Sequence, residues 1–185
     1  GHYRSVHLGK LFDAKVAVKI SARTELKSWM TEAEVYNVPQ FSDNDNILKF
    51  IGSERHFDEN NRPEFWLITE YHEIGSLKNY LKEHTVSWKE TLHICETMAN
   101  GLAFLHEELE PTEFEDYKPV VAHRDFKSSN VLLKQDLSAC IADFGLAVIF
   151  NTNQNQFKRP IIHCSIIGLF KFISTPMTFA ECRSQ

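Results

Sequence analysis

Three segments in the first half of the chain are rich in β-branched and aromatic residues, and the first of them alternates in polarity. These segments, residues 15–20, 47–51 and 65–71, are predicted to be strands. Residues 28–36 have the apolar period of a helix instead. The apolar face of this predicted helix carries Trp29, Ala33 and Tyr36. The chain is therefore predicted to begin with a sheet and a single helix.

Helical periodicity dominates after residue 74. Ser76 is the predicted N-cap of a short helix whose inward face consists of Leu77, Tyr80 and Leu81. A longer helix is predicted for residues 91–106, and its apolar stripe is formed by Leu92, Cys95, Met98, Ala99, Leu102 and Leu105. Residues 131–133 and 139–142 are predicted to pair as a short hairpin. Because strands come first and helices later, we expect an α+β fold of two packed subdomains that meet near residues 71–75.

Composition narrows the class of protein and its partners. With 43% hydrophobic and 24% charged residues, the 185-residue chain has a globular composition. A net charge of −5 and a pI near 6.0 argue against a nucleic-acid partner. The four cysteines form no CxxC pair, which favours free thiols in a reducing compartment. No segment reaches the roughly 20 consecutive apolar residues that span a bilayer, and residues 107–116 are predicted to form an exposed acidic loop.

The residues that carry chemistry lie in two short segments, residues 123–130 and 143–145. Phosphoryl transfer needs a carboxylate for the proton of the attacking hydroxyl, an amide and a second carboxylate for Mg²⁺, and a lysine for the phosphates. The candidates for these four roles are Asp125, Asn130, Asp143 and Lys19. His-Arg-Asp with Asn five residues later, followed by Asp-Phe-Gly, is the signature of protein kinases.

Two parts of this pattern are less specific. A strand lysine such as Lys19 is equally compatible with a side chain that reaches solvent from a strand edge. Glu32 follows Lys19 by thirteen residues on the predicted helix and is a candidate partner for its ammonium group. Glu34 competes for this role, although Glu32 is favoured because it shares the helix face of Trp29 and Tyr36.

The chain resembles the kinase domain of receptors of the transforming-growth-factor-β superfamily, and most of all that of an activin type II receptor. The resemblance is carried by residues 16–20, 28–29, 66–77, 93–102 and 122–134, within a match that extends from residue 1 to about residue 150. The Asp-Phe-Gly at residues 143–145 favours type II, because type I receptors of this family usually have Asp-Leu-Gly there. Lys127 resembles the lysine of serine/threonine kinases rather than the residues usual in tyrosine kinases.

The resemblance implies a protein-kinase-like two-lobe fold, with an N-lobe sheet plus one helix and an incomplete helical C-lobe. Residues 1–74 would form the N-lobe and hinge, and residues 75–150 would form part of the C-lobe, with the catalytic loop and the Asp-Phe-Gly motif. Residues 151–185 are predicted to be a divergent tail in place of the activation segment. Because the family's later helices have no counterpart in it, we expect four residues to lose part of their burial: Leu102, Leu105, Val131 and Leu133.

The resemblance also implies a role for each residue around the phosphates. Asp125 would be the catalytic base, and Lys127 would steady the γ-phosphate. Lys19 would contact the α- and β-phosphates and pair with Glu32. The metal ligands, for Mg²⁺ or Mn²⁺, would be Asn130 and Asp143.

The adenine of ATP would lie between the two lobes. The resemblance implies that Val6, Ala17 and Leu132 enclose it. Thr69 resembles the gatekeeper residue behind the adenine. The hinge, whose backbone would bond the base, corresponds to Glu70, Tyr71 and His72.

The loop that covers the phosphates departs from the family pattern. Gly1 takes the place of the second glycine of the motif, and Arg4 replaces the third, while Val6 keeps its position. Glycine allows backbone N–H groups to approach the phosphates closely. Arg4 would therefore either obstruct the nucleotide or offer it a charge.

The function implied is that of a transmembrane receptor serine/threonine kinase, which transfers the γ-phosphate of Mg-ATP to a type I receptor of the same superfamily. An activin- or BMP-like ligand would bind an extracellular domain outside this chain. The chain would lie at the cytoplasmic face of the plasma membrane, as part of a single-pass receptor. The alternative is a truncated, catalytically inactive fragment that binds nucleotide or regulates a receptor. The complete catalytic set favours the kinase, whereas the absence of a recognisable activation segment favours the fragment.

Overall fold

The first half of the chain forms a four-stranded antiparallel sheet. The computed structural model describes residues 5–114 and 116–150, apart from the side chain of Ser42. The strands are β1 (Ser5–Leu11), β2 (Ala14–Ala22), β3 (Phe50–Phe57) and β4 (Pro63–Glu70), in the spatial order β1-β2-β4-β3. Ala17 lies opposite Thr69, and Lys19 lies opposite Leu67. Because side chains alternate along a strand, these four residues share one face of the sheet.

One helix packs against this sheet. It is α1 (Leu26–Tyr36), which follows β2 after a short 3₁₀ turn at Arg23–Glu25. The Trp29 ring lies 5.2 Å from the Phe65 ring, and its indole N–H donates to the backbone oxygen of Trp66 at 3.0 Å. The buried residues of α1 are Glu32, Val35 and Tyr36. The predicted helix is confirmed, and its inner face carries a carboxylate.

The described part of the second half, up to residue 150, contains two α-helices and two small antiparallel sheets. The helices are α2 (Leu77–Glu83) and α3 (Trp88–His106). The sheets pair β5 (Val120–Ala122) with β8 (Val148–Phe150) and β6 (Val131–Leu133) with β7 (Ala139–Ile141). Ser76 caps α2, and a capping box of Ser87 and Glu90 begins α3 earlier than predicted. None of the described helices is long and apolar enough to cross a membrane.

The segment between α1 and β3 joins the two halves. The N–H of Leu48 donates to the backbone oxygen of Ile141 at 2.9 Å, and the N–H of Ile141 donates to that of Asn46 at 2.8 Å. The Asn46 side-chain amide also donates to the oxygen of Ala139 at 3.0 Å. A Cβ added at Gly101 of α3 would lie only 2.8 Å from the Asn46 oxygen. The segment is therefore held between β7 and α3.

A single hydrophobic cluster extends through both halves. Its members include Val35, Phe41, Leu67, Met98, Leu105 and Phe144. The four side chains expected to lose burial are instead nearly enclosed: Leu102 and Leu105 are 6% and 0% exposed, and Val131 and Leu133 are 0% exposed. That expectation is wrong, because α3 packs directly on β5 and β7 and encloses these side chains within the described residues.

Other predictions also need correction. The strand predicted at residues 47–51 begins only at Phe50, because Ile47 and Leu48 are buried where the chain crosses to β7. Leu81 and Leu92, expected to face inward, are 43% and 51% exposed, since they lie at the ends of their apolar stripes. Ala99 is likewise exposed. The edge strand β1 was not predicted at all.

Candidate active site

A lysine and two carboxylates meet where the sheet, α1 and the segment after β7 converge. Lys19 Nζ donates to Glu32 Oε2 at 2.6 Å and to Asp143 Oδ1 at 2.8 Å. The three side chains are 16%, 4% and 27% exposed, respectively. The structure therefore resolves the alternatives for Lys19: it is enclosed by acidic partners and does not reach out from a strand edge. Glu34, the competing partner, is exposed.

Burial and charge act in opposite directions on Glu32. Burial raises the pKa of its carboxyl above the ordinary value, and the neighbouring Lys19 ammonium opposes that rise. Asp143 adds a smaller push in the same direction as burial. The Glu32 carboxylate therefore depends on Lys19 to stay ionised, so the position of α1 and the charge state of this pair are linked.

A second cluster surrounds Asp125 in the loop after β5. Lys127 Nζ donates to Asp125 Oδ2 at 2.6 Å. The Asn130 side-chain amide donates to the backbone oxygen of Asp125 at 3.0 Å and to its Oδ2 at 3.2 Å. The predicted base and two of its predicted neighbours are thus in direct contact. The Asp125 carboxylate is 30% exposed, so a hydroxyl group from outside could reach it.

His123 connects this loop to the residue before Asp143. Its Nδ1 accepts from the backbone N–H of Asp125 at 3.2 Å, and its Nε2 lies 3.0 Å from the backbone oxygen of Ala142. A ring that accepts at Nδ1 and donates at Nε2 is the neutral tautomer. Burial lowers the pKa of His123, which agrees with a neutral ring. His123 thus acts as a spacer between the two clusters.

The backbone is strained at both clusters. Arg124 and Asp143 have φ values of 65° and 67°, in the left-handed region that side chains other than glycine rarely adopt. Strain of this kind costs about 1 to 3 kcal/mol per residue and persists where the surroundings enforce it. Here the enforcing contacts are those of His123 with Asp125 and of Asp143 with Lys19.

The oxygens predicted to bind a metal are suited to a hard cation. Asn130 turns its amide nitrogen toward Asp125, and its Oδ1 accepts a long hydrogen bond from Ser129 at 3.4 Å. The N–H of Ala142 donates to the backbone oxygen of Asn130 at 2.8 Å, which keeps Asn130 beside Asp143. Mg²⁺ commonly takes one or two protein oxygens and completes its shell with water and phosphate. Within residues 5–114 and 116–150, no cluster of His, Cys, Asp and Glu could hold a metal by itself.

The residues predicted around the adenine occupy neighbouring strands. Ala17 and Thr69 are directly opposite each other, and Val6 is paired with Lys19 at the sheet edge. Leu132 lies on β6, and the N–H of Leu133 on the same strand donates to the oxygen of Gly75, just after the hinge, at 3.0 Å. The predicted Gly1 and Arg4 contacts, and the tail at 151–185, lie outside the described residues.

The hinge has its own contacts on one side. His72 Nε2 lies 3.4 Å from the Sγ of buried Cys140, and burial lowers the pKa of His72. A cavity of about 330 Å³ borders the hinge and is lined by Lys15, residues 70–73 and residues 133–135. The predicted hinge residues line this cavity, whereas Ala17, Thr69 and Leu132 do not.

Comparison with known proteins agrees with this geometry. The sequence model of the family described as protein tyrosine and serine/threonine kinase matches residues 1–166. The chain belongs to this protein kinase family. The kinase chain is 48% identical to the activin receptor type-2B of Xenopus laevis over 150 residues, which are 81% of the chain and 29% of that receptor. It is 47% identical to the human activin receptor type-2A over 155 residues, 84% of the chain and 30% of that receptor.

These matches confirm the resemblance to activin type II receptor kinases and the α+β kinase fold. The kinase chain spans about 30% of the length of the relatives it matches. The family as a whole uses ATP and a divalent metal ion. The roles of individual residues remain predictions, to which the structure adds the contacts described above.

Two contacts of this kinase site were not foreseen from the sequence. Ser28 of α1 approaches Gly145, and Asn46, in the segment between α1 and β3, donates to the Ala139 oxygen of β7. Small polar residues in these positions carry no pattern that distinguishes them from ordinary surface positions. The Asp-Asn-Asp-Asn run at residues 43–46 is the only sequence signal near Asn46, and it resembles an ordinary turn.

Proposed function

We propose that the chain is the nucleotide-binding and catalytic-loop portion of a receptor serine/threonine kinase of the activin type II class. The observation that supports this most directly is the contact of Lys19 with both Glu32 and Asp143. An ammonium group held between two carboxylates is positioned beside a metal ligand, where the phosphates of Mg-ATP would lie. The substrate would be a serine or threonine hydroxyl of another protein.

Each residue contributes a separate part of the proposed reaction. Asp125 accepts the proton of the attacking hydroxyl, and Lys127 offers its ammonium group to the transferred phosphate. Asn130 and Asp143 would hold Mg²⁺, which neutralises phosphate charge when it is bound. Lys19 leaves its bond with Asp143 for the phosphates and keeps Glu32. Ala17, Thr69 and Leu132 would exclude water from the adenine.

The whole receptor would act on a partner at the membrane. By analogy with the activin type-2 receptors, we propose that the partner is a type I receptor of the same superfamily and that the kinase lies at the cytoplasmic face of the plasma membrane. An activin- or BMP-like ligand would bind an extracellular domain of the full protein.

A calorimetric titration of the 185-residue chain with Mg-ATP tests the proposal. Lys19→Met should weaken binding by about 10- to 100-fold, because it removes charge-assisted contacts worth about 1.5 to 3 kcal/mol. Lys89→Met, at an exposed lysine of α3, is the matched control and should bind as the unaltered chain does. Equal affinities for all three proteins would refute the proposed site.

The second candidate, a nucleotide-binding fragment without transferase activity, is favoured by Arg4 in the position of a phosphate-loop glycine. Transfer of labelled γ-phosphate to a generic protein substrate separates the two. Activity that Asp125→Asn abolishes supports the kinase. Mg-ATP binding that depends on Lys19, with no transfer to any serine or threonine substrate, supports the fragment.

A further inference from the structure

Gly145 lies directly against the first turn of α1. A Cβ added to Gly145 would lie 2.1 Å from Ser28 Oγ, and 3.4 Å from both the Cβ and the backbone oxygen of Ser28. Non-bonded carbon and oxygen atoms do not approach to 2.1 Å, because close-packed interiors leave contacts of about 3.5 Å or more. A methyl group at residue 145 therefore fits only if the Ser28 hydroxyl turns away, since the Cβ and backbone oxygen of Ser28 lie at an ordinary contact distance.

Backbone conformation does not explain the glycine at this position. Among the described glycines, the left-handed φ occurs at Gly75, with a value of 77°, and not at Gly145. Gly145 therefore does not owe its glycine to a left-handed φ. The close approach of the Ser28 hydroxyl is the contact that favours a glycine there.

Ser28 is also aligned with the residues of α1 that serve the site. Ser28, Glu32 and Tyr36 are four residues apart and lie on successive turns of one helix face. Glu32 contacts Lys19 at 2.6 Å, and the Tyr36 ring lies 5.3 Å from Phe144 in an edge-to-face arrangement. This face of α1 therefore contacts Phe144 and Gly145 directly. It reaches Asp143 through Lys19, which bonds both Glu32 and Asp143.

A shift of α1 at Ser28 must reach Glu32 because the two lie one turn apart on a continuous helix. The bond between Lys19 and Glu32 measures 2.6 Å, and a displacement of about 1 Å would take it outside hydrogen-bonding distance. Lys19 would then keep only Asp143. A larger separation of α1 from Gly145 would in that case leave Lys19 with one carboxylate partner instead of two.

We propose that Ser28 is a positioning residue whose small side chain is matched to Gly145. Together they set how closely α1 approaches the Asp-Phe-Gly segment, and through α1 they hold Glu32 against Lys19. This inference rests on the proposed nucleotide-binding function and adds a residue to the site. It requires that bulk at residue 28 or residue 145 weaken phosphate binding without affecting the adenine pocket.

A double-mutant cycle tests the contact without any ligand. Gly145→Ala should lower the melting temperature by about 2 to 4 °C, the effect of about 1 kcal/mol in a chain of this size, because the Ser28 hydroxyl must turn away to make room. Ser28→Ala alone gives the baseline from which the coupling is measured. The double variant should recover most of the loss, because the nearest Ser28 atoms would then lie at the ordinary contact distance of 3.4 Å. An equal loss from Gly145→Ala in both backgrounds would overturn the proposal.

Ligand binding tests the positioning role. Ser28→Val adds bulk that a rotation of the side chain cannot remove, since a branched residue strongly prefers one rotamer in a helix. Ser28→Val should lower the affinity for Mg-ATP by about tenfold or more. The affinity for adenosine, which has no phosphates, should stay within about twofold of that of the unaltered chain. Thr31→Val on the same helix is the control and should change neither affinity. If Ser28 had only a structural role, Ser28→Val would lower the affinities for Mg-ATP and for adenosine equally.

The outcomes distinguish this inference from the function on which it rests. Unchanged Mg-ATP affinity in Ser28→Val would overturn the positioning role, even if the unaltered chain binds nucleotide as proposed. The melting temperatures of the Ser28 and Gly145 variants could instead show coupling in a chain that binds adenosine but not Mg-ATP, and this result would refute the proposed function. It would also refute the positioning role, and only the packing contact between Ser28 and Gly145 would stand.

Discussion

The hydroxyl of Tyr36 is an uncompensated polar group in the centre of the molecule. Tyr36 is 3% exposed, and its oxygen has no hydrogen-bond partner among the described residues. The ring stacks on Phe50 at 5.0 Å and meets Phe41 and Phe144 edge to face. Burial raises the pKa of this hydroxyl well above its ordinary value, so it stays protonated. We predict that Tyr36→Phe stabilises the chain.

The size of the gain follows from two opposing terms. A buried polar group without a partner costs about 1 to 3 kcal/mol. Removing the oxygen leaves a void of roughly 10 Å³, which at about 24 cal/mol per Å³ returns only about 0.2 kcal/mol. The ring contacts are unchanged. The free energy of unfolding should therefore rise by about 1 to 3 kcal/mol, which raises the melting temperature by about 2 to 12 °C.

Tyr117 offers a matched control for the same chemical change. Its ring is half-buried, and its hydroxyl donates to the Glu108 carboxylate. Removing a hydroxyl that has a partner should lower the free energy of unfolding by about 0.5 to 1.5 kcal/mol. Tyr36→Phe and Tyr117→Phe should therefore shift stability in opposite directions.

Urea denaturation followed by circular dichroism, with thermal melts as a second measurement, gives both free energies. The comparison requires that the slope against urea stay constant, so that the unfolded states are equivalent. A loss of stability in Tyr36→Phe would refute the reasoning, because it would show that the hydroxyl has a stabilising partner.

Three further predictions follow from other buried groups. Gly101→Ala should destabilise, although alanine usually favours a helix by about 1 kcal/mol, because its Cβ would lie 2.8 Å from the Asn46 oxygen; a urea melt measures this. Lys118 is 0% exposed, and burial lowers its pKa to about 8. Between pH 8 and 10.5 the unfolded chain then binds more protons, so stability should rise with pH by up to about 3 kcal/mol relative to Lys118→Met. Burial raises the pKa of Cys140 to about 12, so peptide mapping after iodoacetamide treatment should find it unlabelled until the chain unfolds.

The sequence predicted the parts of the site that depend on local pattern. Helical spacing distinguished Glu32 from Glu34, and the structure places Glu32 on Lys19 and leaves Glu34 exposed. Ser76 is the N-cap of α2, as predicted. These features depend on a few neighbouring residues, so one-dimensional periodicity is sufficient to find them.

Contacts between distant segments were not predictable in this way. The bond between Lys19 and Asp143 joins residues 124 positions apart. No local sequence pattern around either residue identifies the other as its partner. Lys118 follows an acidic stretch, and its ammonium donates to the backbone oxygen of Glu107 at 2.6 Å and lies over the Phe104 ring. A lysine that is buried against carbonyl groups has no sequence signature of its own.

The bonds between residues 46–48 and β7 have a consequence for cooperativity. The N-lobe and C-lobe divide near residues 74 and 75 in the predicted topology, but the N–H groups of Leu48 and Ile141 are bonded across that division. Neither group can become accessible to solvent unless the segment leaves β7. Their hydrogen–deuterium exchange should therefore proceed at matching rates and follow the global unfolding of the chain, so that calorimetry would record one transition rather than two.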